Sequence, residues 1–246
     1  MLTVFALSVI MLSVIGFSTH FYNIFEVYYM NQSANSLRHD LTAGQKVYLC
    51  IKYTLDFIAA LAGLVILAVP MLILMLVIKI DDPGPVFFRQ KRVGKDQKTF
   101  NMLKFRTMRS DTPRDMPTHL LKNPEQYITR VGRFLRKSSM DELPQIINIL
   151  LGQMSVVGPR PALWNQDDLN QAREEYGVHQ VRPGLTGWAQ INGRDELEIP
   201  VKAALDGEYI RSLGPIMDLK CFFGTFLAVF SAKGVVEGGT GSKNGA

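Results

Sequence analysis

Cysteine and histidine are scarce in this sequence, and their scarcity excludes two kinds of structural site. The chain of 246 residues has two cysteines, Cys50 and Cys221, and four histidines that lack the spacing of metal ligands. Two cysteines are too few for a disulfide framework. A structural zinc site needs clustered cysteine or histidine ligands. We therefore expect two free thiols in a reducing compartment.

The glycine-rich fingerprints of common nucleotide-binding folds are also missing. Neither a Walker A loop nor a dinucleotide-binding GxGxxG pattern occurs, which argues against ordinary ATPases and Rossmann enzymes. No Lys or Arg precedes the apolar residues 1–17, and no small-residue cleavage site follows them. A removable secretory signal is therefore the weaker interpretation of this segment.

What the chain does contain is positive charge and locally concentrated apolar residues. The formal net charge is +5, the isoelectric point is about 9.2 and the mean hydropathy is +0.08. Such a charge suits an acidic partner, for example an anionic membrane, a nucleic acid or a phosphorylated substrate. The apolar residues lie mainly at the N-terminus and between residues 57 and 78, which favours a membrane-associated protein.

The first 45 residues form an N-terminal hydrophobic segment and a linker. Residues 1–17 are almost wholly apolar, and the tyrosine-rich stretch up to Met30 has the character of an interfacial aromatic belt. We expect a single transmembrane helix that ends near residues 20–25. An interfacial or buried helix is the alternative.

A second apolar segment, Phe57 to Ile78, contains no charged residue and has Lys and Arg on both sides. The positive-inside rule places both flanks in the cytoplasm, which a single crossing cannot achieve. Pro70 removes a helical hydrogen bond within this segment. A helix broken at Pro70 could enter the membrane and leave on the same face. A Pro-kinked spanning helix fits the residues equally well.

The remainder of the sequence predicts a small domain with both strands and helices. Val86–Val93 and Thr99–Arg106 are typical of two strands joined by a hairpin turn. Asp141–Leu151 predicts a short helix, ended by Gly152, that packs in the core or rests on the membrane. Pro215–Ala232 predicts an interfacial or buried helix.

The first chemically informative pattern is the acidic pair Asp141 and Glu142. Four cations precede it closely: Arg130, Arg133, Arg136 and Lys137. They could bind a diphosphate and keep the carboxylates ionised for metal ligation or nucleophilic attack. Surface salt bridges or contacts with anionic lipid are the simpler alternative.

Two further segments have unusual composition. In Gly158-Pro159-Arg160-Pro161, prolines on both sides of Arg160 restrict the backbone that carries the guanidinium. The stretch Arg182–Arg194 combines glycines, arginines and Trp188, which suits a loop that lines a nucleotide or sugar. Trp188 could stack on a ring of the substrate or fill the core.

Taken together, these motifs resemble the bacterial sugar transferases, the monotopic polyprenyl-phosphate phosphoglycosyl transferases. The resemblance covers roughly residues 46–230. The motifs that carry it are Lys104–Met108, Arg136–Gln145, Gly152–Pro161 and Arg182–Arg194.

The resemblance implies an α+β, membrane-associated fold. A re-entrant helix-break-helix would occupy residues 46–80 with its break at Pro70, and Lys52 and Asp56 match the basic and acidic positions at its start. A cytosolic catalytic domain with a short β-hairpin and interfacial amphipathic helices would follow at residues 81–233. Residues 234–246 would be a disordered tail.

It also implies a reaction that begins the assembly of exopolysaccharide, O-antigen or another glycan. A phosphosugar would pass from a nucleoside diphosphate sugar, usually a UDP-sugar, to undecaprenyl (polyprenyl) phosphate, with release of UMP. The transfer would proceed through a covalent aspartyl intermediate with Mg²⁺ as cofactor. The enzyme would bind the lipid bilayer of the bacterial inner membrane, and its catalytic domain would face the cytoplasm.

Carried onto this sequence, Asp141 is the expected nucleophile, and Glu142 helps to position Mg²⁺ and the acceptor phosphate. Both carboxylates are expected metal ligands. The residues expected to bind substrate are Arg136, Arg160, Lys104, Arg106, Arg182 and Arg194. Gln153 departs from the family pattern, because many members have an acidic residue there.

Two other functions compete with this interpretation. A catalytically idle membrane scaffold is disfavoured by the intact Asp141–Glu142 pair. A nucleic-acid-binding domain is disfavoured because the basic residues lie next to the apolar segment and no nucleic-acid-binding motif occurs. The sequence leaves open the sugar, the glycan pathway and the oligomeric state, for which a homodimer is one candidate.

Overall fold

The structure is a computed structural model of the chain and describes residues 38–112, 124–193 and 197–231. The predicted N-terminal transmembrane helix and the predicted disordered tail lie outside the described residues, and so does Arg194. Within them, helices pack around two small sheets in a mixed α and β fold, as the sequence predicts.

The longest element is helix α1, Ala43–Asp81. It begins with a capping box, in which the Thr42 hydroxyl accepts from the Gln45 backbone and the Gln45 side chain accepts from the Thr42 N–H. The helix continues through Pro70, so the structure does not show the break that the family resemblance implies there. Burial of Met71 and Ile78 in the core keeps the segment after the proline helical, since tertiary packing overrides local preference.

One face of α1 packs on the domain along its whole length. Its buried residues are separated by 3, 4, 7 or 11 residues, spacings that place them on the same face of a helix: Leu49, Lys52, Asp56, Ala60, Met71 and Ile78. The opposite face is apolar and exposed, as in Val65 and Ile66 with 71% and 74% exposure. By length and composition alone, α1 is the one helix among the described residues that could cross a membrane.

The same domain holds both ends of α1. Near the N-terminal end, the Lys52 ammonium lies 2.6 Å from a carboxylate oxygen of Asp218. At the C-terminal end, a guanidinium nitrogen of Arg106 lies 3.1 Å from a carboxylate oxygen of Asp82. The apolar helix is thus fastened to one body at both ends.

The predicted hairpin is confirmed. Strands β1, Phe87–Val93, and β2, Thr99–Phe105, are antiparallel with Phe88 opposite Lys104. A 3₁₀ turn joins them, in which Asp96 and Gln97 have positive φ angles. Phe100 and Met102 of β2 contact the hydrophobic cluster that contains Ala60 of α1.

The acidic pair lies in a tight connection between two helices. Helix α2, Arg130–Ser138, is capped at its C-terminus by Ser139. The left-handed backbone of Ser139 leads the chain into a 3₁₀ turn over Met140–Glu142. Helix α3 then spans only Gln145–Leu150. The prediction of one helix from Asp141 to Leu151 is wrong at its start, because Pro144 marks the beginning of α3 and the carboxylates precede it.

The position of α3 resolves one alternative that the sequence left open. Ile149 is buried with Ala60 and Met154 in a hydrophobic cluster, so α3 packs in the core. Gly152 then leaves the helix with a positive φ of 71°, as the sequence predicts.

A short parallel pair of strands brings the Gly158–Pro161 turn close to the stretch that begins at Arg182. Strand β3, Ser155–Val157, pairs with β4, Gly184–Thr186. A Cβ on Gly158 would lie 2.6 Å from the Arg182 carbonyl oxygen, so the approach of the loops needs glycine. The surrounding helices are α4 (Asp167–Glu175), α5 (Trp188–Ile191), α6 (Ile199–Arg211) and α7 (Pro215–Ser231).

Asp218 on α7 is the centre of a buried polar network. Its two carboxylate oxygens accept hydrogen bonds from the hydroxyls of Tyr48 and Tyr209, at 2.7 and 2.8 Å, and one of them also pairs with Lys52. On the next turn of α1, Asp56 accepts a 2.5 Å hydrogen bond from Ser155 of β3. The network therefore ties α1 to three other elements.

We expect Asp218→Leu to lower the free energy of unfolding by about 3 kcal/mol, because Lys52 would become a buried cation without its closest counter-charge. Chemical unfolding in detergent micelles measures this change. The double variant with Lys52→Met removes both charges and is expected to recover much of the loss. Equal losses in the single and double variants would contradict the importance of the pair.

Candidate active site

Three elements bring their polar side chains together around Glu142. Lys104, at the end of β2, places its ammonium 2.8 Å from Glu142 Oε1. Arg160, in the turn after β3, places a guanidinium nitrogen 3.1 Å from the same oxygen. Asp141 lies beside them, with Oδ2 3.8 Å from the Lys104 ammonium. Residues from distant parts of the sequence thus form one charged cluster.

Arg136 joins this cluster from the last turn of α2. Its Nε donates a 2.9 Å hydrogen bond to the Thr107 hydroxyl, just beyond β2. Its charge also favours the ionised form of Asp141. The structure therefore brings together five of the predicted site residues: Asp141, Glu142, Lys104, Arg136 and Arg160.

The two neighbouring carboxylates have opposite pKa shifts. Burial raises the pKa of Asp141 above its ordinary value, and the Lys104 charge offsets only part of this rise. Burial would also raise the pKa of Glu142, but the charges and hydrogen bonds of Arg160 and Lys104 outweigh it and hold that pKa well below its ordinary range. Glu142 is the firmly ionised member of the pair, and Asp141 is the more basic one.

The backbone of Arg160 is hydrogen-bonded to a residue of a buried ion pair. Arg173 of α4 donates a 2.9 Å hydrogen bond to the Arg160 carbonyl oxygen. The Arg173 guanidinium also bonds Asp206 of α6 at 2.6 and 2.9 Å, and both side chains are almost fully buried. Sequence analysis missed these two residues because no local pattern links charges on separate helices.

Two other predicted substrate-binding residues make different contacts. Arg106 pairs with Asp82 at the end of α1. The Arg182 guanidinium lies 4.0 Å from the ring centroid of Tyr53, and the Arg182 N–H donates to the Tyr53 hydroxyl. The ion pair of Arg106 and the cation–π contact of Arg182 are thus made with Asp82 and Tyr53, and the binding of both arginines to substrate remains a prediction. Arg194 lies outside the described residues.

The position of Trp188 favours a packing role in the core over stacking on a substrate ring. Its indole N–H donates a 2.9 Å hydrogen bond to Glu208 of α6. Its ring is partly buried against the cluster that contains Tyr209 and Ile210. These contacts are those of a packing residue that has a partner for its polar group.

The acidic pair fits Mg²⁺ by its donor chemistry. Across residues 38–112, 124–193 and 197–231, no group of three or more acidic, histidine or cysteine side chains could hold a metal. Mg²⁺ in phosphoryl-transfer sites commonly binds one or two carboxylates, and substrate phosphates and waters complete its shell. Asp141 and Glu142 supply such a partial set of oxygen ligands.

Comparison with known proteins identifies the family. Residues 47–232 match the family described as bacterial sugar transferase. The chain belongs to this family. The match includes α1 from residue 47 onward, the hairpin and the charged cluster, and it agrees closely with the range expected from the motifs.

One relative within the bacterial sugar transferase family is a longer protein that is named as a glucose-1-phosphate transferase. The UDP-glucose:undecaprenyl-phosphate glucose-1-phosphate transferase of Escherichia coli K12 is 41% identical over 194 residues. That alignment covers 76% of this chain and 40% of the relative, so the chain spans less than half of that longer protein.

Two relatives of similar length are covered almost completely. The exopolysaccharide production protein ExoY of Sinorhizobium fredii is 35% identical, over 74% of this chain and 87% of that protein. The sugar transferase EpsL of Bacillus subtilis 168, named as uncharacterized, is 40% identical over 76% of this chain and 91% of that protein.

The opposite pKa shifts predict opposite stability effects at neutral pH. Asp141→Asn removes a charge that burial disfavours, so the melting temperature should rise. Glu142→Gln removes the carboxylate closest to Lys104 and Arg160, so the melting temperature should fall.

The pH dependence checks the sign of each effect. The benefit of Asp141→Asn should disappear as the pH falls through the raised pKa of Asp141, because the wild-type carboxyl then becomes neutral as well. The stability that ionised Glu142 contributes is present above its unfolded pKa, near 4.3, and is lost as the pH falls from there towards its lower folded pKa. Melting curves from pH 2 to 8 measure both, and shifts of the same sign at neutral pH would refute the assignment.

Proposed function

We propose that this chain transfers a phosphosugar from a UDP-sugar to undecaprenyl phosphate and releases UMP. The observation that carries the proposal is the placement of Asp141 and Glu142 between Lys104 and Arg160, where the motifs of the family meet. The names of relatives from Escherichia coli and Komagataeibacter xylinus specify an undecaprenyl-phosphate acceptor and glucose or glucose-1-phosphate transfer. UDP-glucose is therefore the first donor to test.

The proposed reaction has two phosphoryl-transfer steps. In the first, a carboxylate oxygen of Asp141 bonds to the phosphorus that carries the sugar, and the anhydride bond breaks so that UMP leaves. In the second, a phosphate oxygen of the lipid bonds to the same phosphorus and the Asp141 carboxylate is released. A nucleophile that forms a covalent intermediate divides one difficult transfer into two easier ones. The raised pKa of Asp141 makes its ionised carboxylate the more basic of the pair.

The cations around the pair suit the charge of the substrates. Lys104 and Arg160 both bond Glu142, which fixes two positive groups at the cluster before substrate binds. Positioned cations that need no rearrangement during the reaction are effective for phosphoryl transfer. Asp141 and Glu142 would hold Mg²⁺, which when bound would neutralise charge on the phosphates.

We also propose that the bilayer covers the exposed apolar face of α1. A helix of 39 residues has a contour length of about 58 Å, well beyond the roughly 30 Å of hydrocarbon. Because both ends are fastened to the domain that contains Asp141, a re-entrant or in-plane course suits the contacts better than a simple crossing. Exposed Phe223 and Phe226 on α7 add to this apolar surface. In the cell, the site would face the cytoplasm at the inner membrane.

Release of UMP tests the reaction directly. Purified protein in nanodiscs with Mg²⁺, undecaprenyl phosphate and a panel of UDP-sugars should release UMP with at least one donor. Asp141→Asn should lower turnover by at least about 1000-fold, as expected for loss of a covalent nucleophile. Asp167→Asn makes the same change at an exposed carboxylate and should keep wild-type turnover.

A second readout isolates the covalent step. With UDP-glucose labelled in its β-phosphate and no acceptor, label should attach to the wild-type chain and not to Asp141→Asn. Undiminished turnover by Asp141→Asn would exclude Asp141 as nucleophile. Absence of UMP release with every donor would favour an idle scaffold.

A further inference from the structure

Asn148 is a buried polar residue that the proposed reaction does not use directly. It lies in α3, six residues after Glu142, and its side chain is 1% exposed. A buried amide must be hydrogen-bonded to be tolerated in a core. The hydrogen-bond partners of the Asn148 side chain therefore indicate which segments it holds together.

The amide of Asn148 clamps the open edge of β2. Its Oδ1 accepts a 2.9 Å hydrogen bond from the Leu103 N–H, and its Nδ2 donates a 2.9 Å hydrogen bond to the Asn101 carbonyl oxygen. These two backbone groups lie on the edge of β2 opposite to β1. The side chain thus acts as a short substitute for a third strand.

The clamp controls the spacing between the two halves of the charged cluster. Lys104 directly follows Leu103 in β2, whereas Glu142 lies on the chain segment that leads into α3. Asn148 joins these two segments, across which the Lys104 ammonium lies 2.8 Å from Glu142. A shift of β2 along α3 would move Lys104 away from both carboxylates.

Gln153 supplies a further hydrogen-bond partner for the Asn148 amide. Its Oε1 accepts a 2.7 Å hydrogen bond from Asn148 Nδ2, and its backbone N–H donates to the Asn148 carbonyl oxygen. The Leu103 N–H and the Asn101 carbonyl oxygen set the orientation of the Asn148 amide, and Gln153 adds a second acceptor for its nitrogen. Glutamine and an acidic residue both supply that acceptor, so the departure from the family pattern at Gln153 preserves the contact.

We propose that Asn148, supported by Gln153, is a positioning residue that sets Lys104 against Asp141 and Glu142. Its catalytic consequence rests on the proposed function. The clamp itself does not, and it can be measured without any substrate.

Gln180 provides a matched control. Its Nε2 donates to the His39 carbonyl oxygen at 2.7 Å, and its Oε1 accepts from the Leu41 N–H at 3.2 Å. It therefore clamps two backbone groups two residues apart, as Asn148 does. The clamped stretch, residues 39–41, contains none of the candidate site residues.

The first experiment measures the clamp. Hydrogen exchange at the Leu103 amide should become at least about 10-fold faster in Asn148→Ala and stay unchanged in Gln180→Ala. The melting temperatures of wild type, Lys104→Met, Asn148→Ala and the double variant form a cycle. If Asn148 positions Lys104, the double variant should melt well above the additive expectation. An additive cycle or unchanged Leu103 exchange would overturn the proposal.

The second experiment measures the consequence for turnover. Asn148→Ala should lower kcat by roughly 100-fold, as for a misplacement of about 1 Å at a reacting centre. In the Lys104→Met background it should have little further effect, whereas Gln180→Ala should have the same small effect in both backgrounds. A full, independent effect of Asn148→Ala on kcat in the Lys104→Met background would show a general structural role and overturn the proposal.

A milder pair of variants guards against misfolding of Asn148→Ala. Gln153→Glu keeps the acceptor oxygen and should stay closer to wild-type kcat than Gln153→Met, which removes it. The reverse order would contradict the supporting role of the Gln153 acceptor. If wild type releases no UMP with any donor, the proposed function fails, and the exchange and melting data still decide the clamp.

Discussion

The fastening of α1 to a single domain at both ends is the constraint on which the rest of the structure depends. The Lys52–Asp218 pair holds one end and the Arg106–Asp82 pair holds the other. Between them, the face of α1 that is not exposed supports the hairpin through Ala60. The charged cluster is therefore built on a helix whose other face is apolar and exposed.

This arrangement suits a reaction between a water-soluble and a lipid-bound substrate. The end of β2 and the turn before α3 both lie on elements that pack against α1. A nucleotide sugar could reach the cluster from water while a lipid phosphate reaches it from the bilayer surface. The distance between Asp141 and the lipid surface would then follow from the packing of α1 rather than from a flexible linker.

Within the cluster, two adjacent carboxylates have different properties because their neighbours differ. Glu142 bonds two cations through one oxygen, whereas Asp141 is partly buried and lies farther from Lys104, at 3.8 Å. The backbone that carries each cation is itself hydrogen-bonded. Arg173 donates to the Arg160 carbonyl oxygen, and Asn148 accepts from the N–H of Leu103, next to Lys104. The side chains that meet at the site are thus positioned by groups that lie outside it.

Sequence reasoning succeeded where the determinants are local. The hairpin follows from two apolar strands around a polar turn, and Gly152 ends α3 because glycine adopts a positive φ readily. It was wrong about the start of α3, where the chain forms a separate 3₁₀ turn. The residues alone left a break and a continuous helix at Pro70 equally open, because the contacts with Phe105 and Leu135 that favour continuity are distant in sequence.

The central claim is that both ends of α1 lie on the same side of the membrane as Asp141. Cysteine labelling from each side of sealed inner-membrane vesicles tests it most directly, with single cysteines at exposed Asp40 and Pro85. Exposed Cys50 is first replaced by Ser, and Cys221 is buried and stays in place. The account predicts that a membrane-impermeant maleimide labels both positions from the cytoplasmic side only. Labelling of the two positions from opposite sides would contradict it.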